Sequence, residues 1–234
     1  MGSGSDVGTG RLVIAMDGPA GSGKSSASRG VAVELGLRYL DTGAMYRAMT
    51  WQMLLDGIDV YDAHAVAARA ETVKIASGVD PARPTIRLGG VDVGREIRMG
   101  EVNVAVSPVS AVPRVRELLA AQQRQLIGDG GIVVEGRDIG TVVAPDADLK
   151  IYLSAHPAAR ASRRAAELAG EQGKDVAGVE ADLVRRDEYD STRATAPLTA
   201  AEDAVVLDST DLSLPDVVRR IVALARELTG SVGH

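Results

Sequence analysis

Gly18-Pro19-Ala20-Gly21-Ser22-Gly23-Lys24-Ser25 is the stretch that decides the fold. It follows G-x-x-x-x-G-K-[ST], a glycine-rich loop whose backbone N–H groups cradle phosphates. Ahead of it lies Leu12-Val13-Ile14-Ala15-Met16, a short apolar run that reads as a buried strand. Behind it, residues 25–35 are rich in Ala, Val and Ser and are closed by Gly36, the pattern of a helix with its stop signal. Strand, loop and helix N-terminus together form an anion site, because loop amides and the positive end of the helix dipole both face the ligand. Lys24 is expected to reach the β- and γ-phosphates and the Ser25 hydroxyl to hold Mg²⁺. The stretch implies a nucleoside triphosphate site.

Composition sets the outer limits. With 45% hydrophobic and 25% charged residues, the 234-residue chain has the make-up of a globular α/β protein. It has no Cys, which excludes disulfides, thiolate zinc sites and a cysteine nucleophile and agrees with a cytoplasmic setting. His64, His156 and His234 lie far apart with no familiar metal-ligand spacing. No apolar stretch approaches the ~18 residues of a membrane-spanning helix. Residues 1–10 lack the parts of a signal peptide and read as a flexible tail, and Asp6 breaks the myristoylation pattern. A net charge of −6 argues against general nucleic-acid binding. The basic residues are 22 Arg against only 4 Lys, and Arg suits bidentate phosphate recognition, although position must decide which of them do this.

Alternating signals extend from the loop in both directions. Short apolar runs at 12–16, 38–40, 131–134, 149–153 and 204–207 read as strands, and helices are expected at 25–35, 42–56, 157–172 and 214–228. Strands separated by helices imply a parallel sheet covered on both faces, with ligands at the carboxyl ends of the strands. Residues 59–103 break the alternation with a helix-like Ala run and strand signals at 72–76, 85–88 and 91–93, Gly89-Gly90 being a hairpin turn. A small antiparallel insertion standing off the main sheet is expected there. A structural flap and a mobile domain closing over a second substrate are both open readings.

The other motifs narrow the chemistry. No N-K-x-D guanine motif is present, and the one Walker-B-like run, Val205-Val206-Leu207-Asp208, falls in what reads as the terminal strand and is taken as chance. A second, Arg-rich anion site is instead spelled out by four stretches. They are Asp41-Thr42-Gly43-Ala44-Met45-Tyr46-Arg47, Pro113-Arg114-Val115-Arg116, Glu135-Gly136-Arg137-Asp138-Ile139-Gly140-Thr141, and the run from Arg185 to Arg193 ahead of Ala196-Pro197-Leu198.

In these motifs the chain resembles the bacterial cytidylate kinases, members of the mononucleotide kinase group, with actinobacterial sequences the nearest likeness. The resemblance runs from about Arg11 to the last helix. It implies an α/β P-loop nucleoside monophosphate kinase fold: a five-stranded parallel sheet flanked by helices, a small antiparallel insertion and a helical lid. It divides the chain into a core (11–58, 104–154 and 174–230), a nucleoside-monophosphate-binding insertion (59–103) and a lid (155–173). The implied activity is ATP-dependent phosphorylation of CMP and dCMP, with Mg²⁺, by a monomer. A P-loop kinase of another small metabolite or nucleoside monophosphate, and a nucleotide-switch module without enzymatic function, are the alternatives.

The resemblance also assigns residues. ATP would lie against Gly18, Pro19, Ala20, Gly21, Ser22, Gly23, Lys24, Ser25 and Ser26, with Arg160, Arg163 and Arg164 over it from the lid. On a helix these three arginines sit close enough to point at one polyphosphate, or else form a solvated basic face beside Glu167 and Glu171. Arg47 and Arg137 would grip the CMP phosphate, with Arg193 near it or the ribose; with Lys24 they make up the catalytic cations. Asp190 and Arg186 would hold the sugar with Thr42 close by, and Ser107, Arg114 and Asp138 would read the base. Arg116, two residues beyond Arg114, is expected to face elsewhere. Glu135 reads equally as a structural carboxylate and as part of the magnesium network. Asp138 makes the base preference physical, since a carboxylate accepts a hydrogen bond from the cytosine amino group and not from the uracil carbonyl. Aromatic content of 3% with no Phe leads to the expectation of aliphatic walls around the base. An anionic acceptor needs no general base, so cations and water exclusion are the requirements.

Overall fold

The run Val13-Ile14-Ala15-Met16-Asp17 forms β1 (Val13–Asp17), and its alternation puts Ile14 and Met16 on one face and Ala15 on the other, all buried. A strand buried on both faces belongs in the middle of a helix-covered sheet, and β1 is central. The computed structural model describes residues 10–168, 176–193 and 196–230. Beside β1 lie β2 (Arg38–Asp41), β6 (Ile132–Glu135), β7 (Leu149–Ser154) and β8 (Val205–Asp208), in the order β2-β6-β1-β7-β8. Every pairing is parallel, with Met16 opposite both Glu135 and Ile151. The five strands lie within one residue of the positions read from sequence.

Helices cover both faces. On one side α1 (Lys24–Leu35), closed by left-handed Gly36 at φ 66°, packs with α8 (Leu214–Gly230) over Ile14, Met16, Tyr39 and Val133. On the other, α2 (Thr42–Leu55), α4 (Gly100–Ala111) and α5 (Pro113–Ile127) bury Ala15, Leu40, Ile132 and Val134. Neither α4 nor α5 was evident in the sequence. In α4 the apolar residues are mostly valines, and Pro108 interrupts the hydrogen-bond ladder, so the segment looks unlike a helix.

The insertion forms α3 (Ala63–Ala70) and a separate three-stranded antiparallel sheet of β3 (Ile75–Ser77), β4 (Ile86–Leu88) and β5 (Val91–Asp92). Gly89 and Gly90 turn the β4–β5 hairpin with positive φ. The expectation that this insertion stands off the main sheet needs correction. Val66, Ile75, Ile86, Leu88, Val93 and Ile97 share one apolar cluster with Leu40, Met45 and Ile132, and the Tyr39 amide donates to the Val79 carbonyl at 2.8 Å. Burial of that apolar edge outweighs independence.

The last elements are α6 (Pro157–Leu168) and α7 (Val176–Thr192), which pack on each other. The remainder of the expected lid, 169–173, lies outside the described residues, as do 1–9 of the tail and residue 174, where the last core segment was expected to begin. Among the described residues, no helix is long and apolar enough to cross a membrane.

Candidate active site

Three strand ends converge on one cavity of about 650 Å³. At the end of β1 the chain turns through Gly18 (φ 142°), where a Cβ would lie 2.1 Å from the Leu153 carbonyl oxygen, so only glycine lets the loop cross β7. Ala20, Gly21, Gly23, Lys24, Ser25 and Ser26 line the cavity; Gly18, Pro19 and Ser22 shape the loop behind it. The Lys24 ammonium donates to the Pro19 carbonyl at 2.7 Å and to Ser22 Oγ at 3.3 Å. Burial, followed by repulsion from Arg137, pushes its pKa down, and Glu135 pulls the other way.

The end of β6 supplies Glu135, Arg137 and Asp138. Ser25 Oγ donates to Glu135 Oε2 at 2.9 Å, and the Tyr39 hydroxyl donates to Oε1. Burial pushes the Glu135 carboxyl up and the Tyr39 phenol up as well. Thr42, expected near the sugar, lines the cavity but donates its hydroxyl to the Glu135 carbonyl at 2.7 Å. Gly136 permits this approach, since a Cβ there would meet Thr42 Oγ1 at 2.7 Å. Arg137 Nε donates to Asp190 Oδ2 at 3.0 Å, binding the β6 end to α7.

Arg47, Ser107, Arg186, Asp190 and Arg193 also line the cavity, from α2, α4 and the end of α7. Arg47 donates to Asn103 Oδ1 at 2.5 Å, and burial beside Arg186 lowers its pKa. Among the described residues, the Nε of Arg186 and the Nη2 of Arg193 are buried with no hydrogen-bond partner. Burying unpaired cationic donors is costly, and a bound anion or carbonyl removes that cost.

Several expectations need correction. Arg114 is off the cavity: it sits half-exposed on α5, paired with Glu71 at 2.5 Å and Glu117 at 2.9 Å. Arg116, expected to face elsewhere, instead lines the cavity, buried, ion-paired with Asp138 and 5.5 Å above the Tyr46 ring. Once α5 starts at Pro113, Arg116 falls on the stripe with Leu119, Ala120, Gln123 and Ile127, which faces inward, and Arg114 falls outside it. The three arginines of α6 do not converge. Arg160 is buried, donating to the Ala155 carbonyl at 3.1 Å, the Ala20 carbonyl at 2.9 Å and Asp187, whose other oxygen accepts the Ala20 amide at 3.0 Å. Arg163 reaches the carbonyls of Ser209 (2.5 Å) and Thr210 (3.1 Å). Arg164 alone of the three lines the cavity. Arg160 and Arg163 thus clamp α6 to the phosphate loop and to the loop after β8.

The cavity wall is also more aromatic than expected, since Tyr46, Tyr61 and Tyr189, three of the chain's five tyrosines, line it. Arg98 and Asn103 are further lining residues that sequence reasoning missed, and Arg185, given there only as part of its run, lines the cavity as well. Asp208 of the Walker-B-like run ends the edge strand and caps Thr210 at 2.8 Å, away from the site.

A protein-family model described as Cytidylate kinase matches residues 14–227. A cytidylate kinase of Rhodococcus jostii is 54% identical over 225 residues, covering 95% of this chain and 98% of that one. One from Streptomyces avermitilis is 53% identical, covering 92% and 93%, and one from Mycobacterium leprae is 49% identical, covering 94% and 98%. Among solved structures, a shikimate kinase from Bacteroides thetaiotaomicron aligns over 92% of this chain and 98% of its own at 12% identity, with a TM-score of 0.45, too distant to bear on the chemistry.

Proposed function

The chain belongs to the cytidylate kinase family, and from that membership and the cavity's charges we propose that it transfers the γ-phosphoryl group of ATP to CMP and dCMP. The observation that carries the reading is the pair of buried donors on Arg186 and Arg193, unpartnered among the described residues, on two arginines that line the same cavity as Lys24. Such a layout suits two anionic ligands meeting end to end. In the transfer, an acceptor phosphate oxygen bonds to the γ-phosphorus as the bond to the β–γ bridging oxygen breaks and ADP leaves; no proton has to be removed first.

Each residue then has a task. The loop amides and Lys24 hold the donor phosphates and offset charge on the transferring group. Arg47 and Arg137 hold the acceptor phosphate, Arg137 being aimed by Asp190. Arg186, Asp190 and Arg193 lie along the sugar, and Ser107, Arg116 and Asp138 meet the base. Arg164 approaches the donor from α6. Mg²⁺ fits the hard oxygen pair of Ser25 and Glu135, which suits an ion that keeps waters and phosphate oxygens around it. Held there, such an ion would supply positive charge that offsets the charge of the donor phosphates. We take the protein to act as a monomer in the cytoplasm on free nucleotides, without nucleic acid, consistent with its net charge of −6.

The test is ADP formation from ATP and Mg²⁺ with CMP, dCMP, UMP, AMP, GMP and shikimate supplied separately. Rapid turnover with CMP and dCMP only is the expected result. Turnover centred on another acceptor would show a different metabolite kinase, and uniform background would leave a nucleotide switch.

A further inference from the structure

Asp17 ends β1 and directly precedes the phosphate loop, yet it does not line the cavity. Its side chain is buried, and both carboxylate oxygens are committed. Oδ1 accepts the Ile139 amide and Oδ2 the Gly140 amide, each at 2.8 Å. Those amides belong to the π-helical turn Ile139–Val143, whose preceding residues are Arg137 and Asp138. The backbone ties end one step earlier, where the Gly136 amide donates to the Met16 carbonyl at 2.9 Å. Past that point the two loops diverge, and the Asp17 carboxylate spans the gap between them.

Two parallel hydrogen bonds to consecutive amides fix both the distance and the tilt of a turn, which one bond cannot do. A buried carboxylate is a costly way to do this. Burial pushes Asp17 up to about 6, against the opposing pull of the two amides and of Lys24, with Asp138 adding repulsion. A neutral residue would avoid the cost but would lose the two-point grip. We propose that Asp17 is a positioning residue that locks the Arg137–Asp138 turn to the phosphate loop, setting the line on which the acceptor phosphate meets the donor. This rests on the phosphoryl-transfer reading above.

The substitution Asp17→Asn keeps one acceptor oxygen and turns an NH₂ donor toward an amide donor, which frees one end of the turn. Wild-type turnover of CMP is measured first; its absence would sink the phosphoryl-transfer reading whatever Asp17 does. With turnover in hand, Asp17→Asn should lower kcat by roughly tenfold to a hundredfold, the scale of a misplacement of about 1 Å. It should also raise the KM for CMP. ADP affinity by calorimetry should stay within about twofold and the melting temperature within about 4 °C. Amide hydrogen exchange should speed up at Ile139 and Gly140 and not in the loop 18–25. An equal loss of ADP affinity, or unchanged kcat and KM, would overturn the proposal. Should Asp17→Asn fail to fold, Asp17→Ser, which buries no charge and keeps one acceptor, is measured in the same way. Failure of both to fold would assign Asp17 to the fold and overturn the proposal as well.

Discussion

The two ends of the cavity hold charge by different means. At the donor end the anion site is backbone: loop amides, a helix N-terminus and one buried side-chain cation, Lys24. At the acceptor end it is made of side chains, with Arg47, Arg116, Arg137, Arg186 and Arg193 carried by three helices and one strand end. Backbone dipoles add no net charge and repel one another little. Clustered guanidinium groups repel strongly, and burial together with neighbouring arginines lowers the pKa of Arg47, Arg186 and Arg193. The acceptor end is therefore held by countercharges, Asp190 on Arg137 and Asp138 on Arg116, which the donor loop does not need.

The contrast breaks most sharply at Lys24. Truncating the buried loop cation in Lys24→Ala should lower kcat by about 10³-fold, the upper range for removing one preorganised donor at a transition state. CMP affinity by calorimetry should be nearly unchanged, since the backbone site and the acceptor arginines remain. Loss of CMP binding as well would mean that the ends are not independent.

The joint between the ends gives the next largest effect, in stability. Asp17 is pushed from its ordinary 3.8 up to about 6, so the folded state takes up its proton before the unfolded state does as pH falls. Stability contributed through this group is thus lowest above pH 6 and rises as pH drops from about 6 to about 4. The full span is at most roughly 3 kcal/mol, at 1.36 kcal/mol per pKa unit. Urea unfolding across that range should show the slope in the wild type and a reduced slope in Asp17→Asn. Identical slopes would remove Asp17 as the cause; Glu135, raised in the same direction, is common to both proteins.

The same contrast explains what could be read in advance. The donor end is contiguous in sequence, so a pattern of eight residues with a strand before and a helix after was enough to place it. The acceptor end depends on which way each helix turns, and α4 and α5 were not recognised. Without α5 there was no stripe to tell Arg114 from Arg116, although Pro113 is a helix-opening signal and Leu119, Gln123 and Ile127 continue the stripe. The α6 arginines were misjudged for a related reason. Spacing puts 160, 163 and 164 on neighbouring faces, but only the packing of α7 and of the loop after β8 shows that two of those faces are covered. Composition also understated the aromatic wall, because a low total says nothing of where tyrosines gather.

At the base, Asp138 sharpens the comparison by substrate. A carboxylate that accepts from the cytosine amino group would face the uracil carbonyl oxygen, a mismatch of about 1–3 kcal/mol. Asp138→Ala should therefore narrow the CMP-over-UMP ratio of kcat/KM by roughly tenfold to a hundredfold. Parallel loss with both substrates would mean that Asp138 serves only to neutralise Arg116.

The smallest effects come from two arginines on one helix. Arg116→Met removes a buried partner of Asp138 and should raise the KM for CMP about tenfold or more, as loss of a buried charge-assisted bond does. Arg114→Met removes an exposed cation whose partners, Glu71 and Glu117, are solvated as well. Exposed pairs of this kind contribute little, so its KM for CMP should change less than about twofold. The pair of measurements separates the inner stripe of α5 from its outer face. A large KM effect at Arg114 would require α5 to turn in the bound state by about 100° per residue of register, carrying Arg116 out of the cavity as Arg114 entered. The Arg116–Asp138 pair, buried against Tyr46, is the contact that would have to break first.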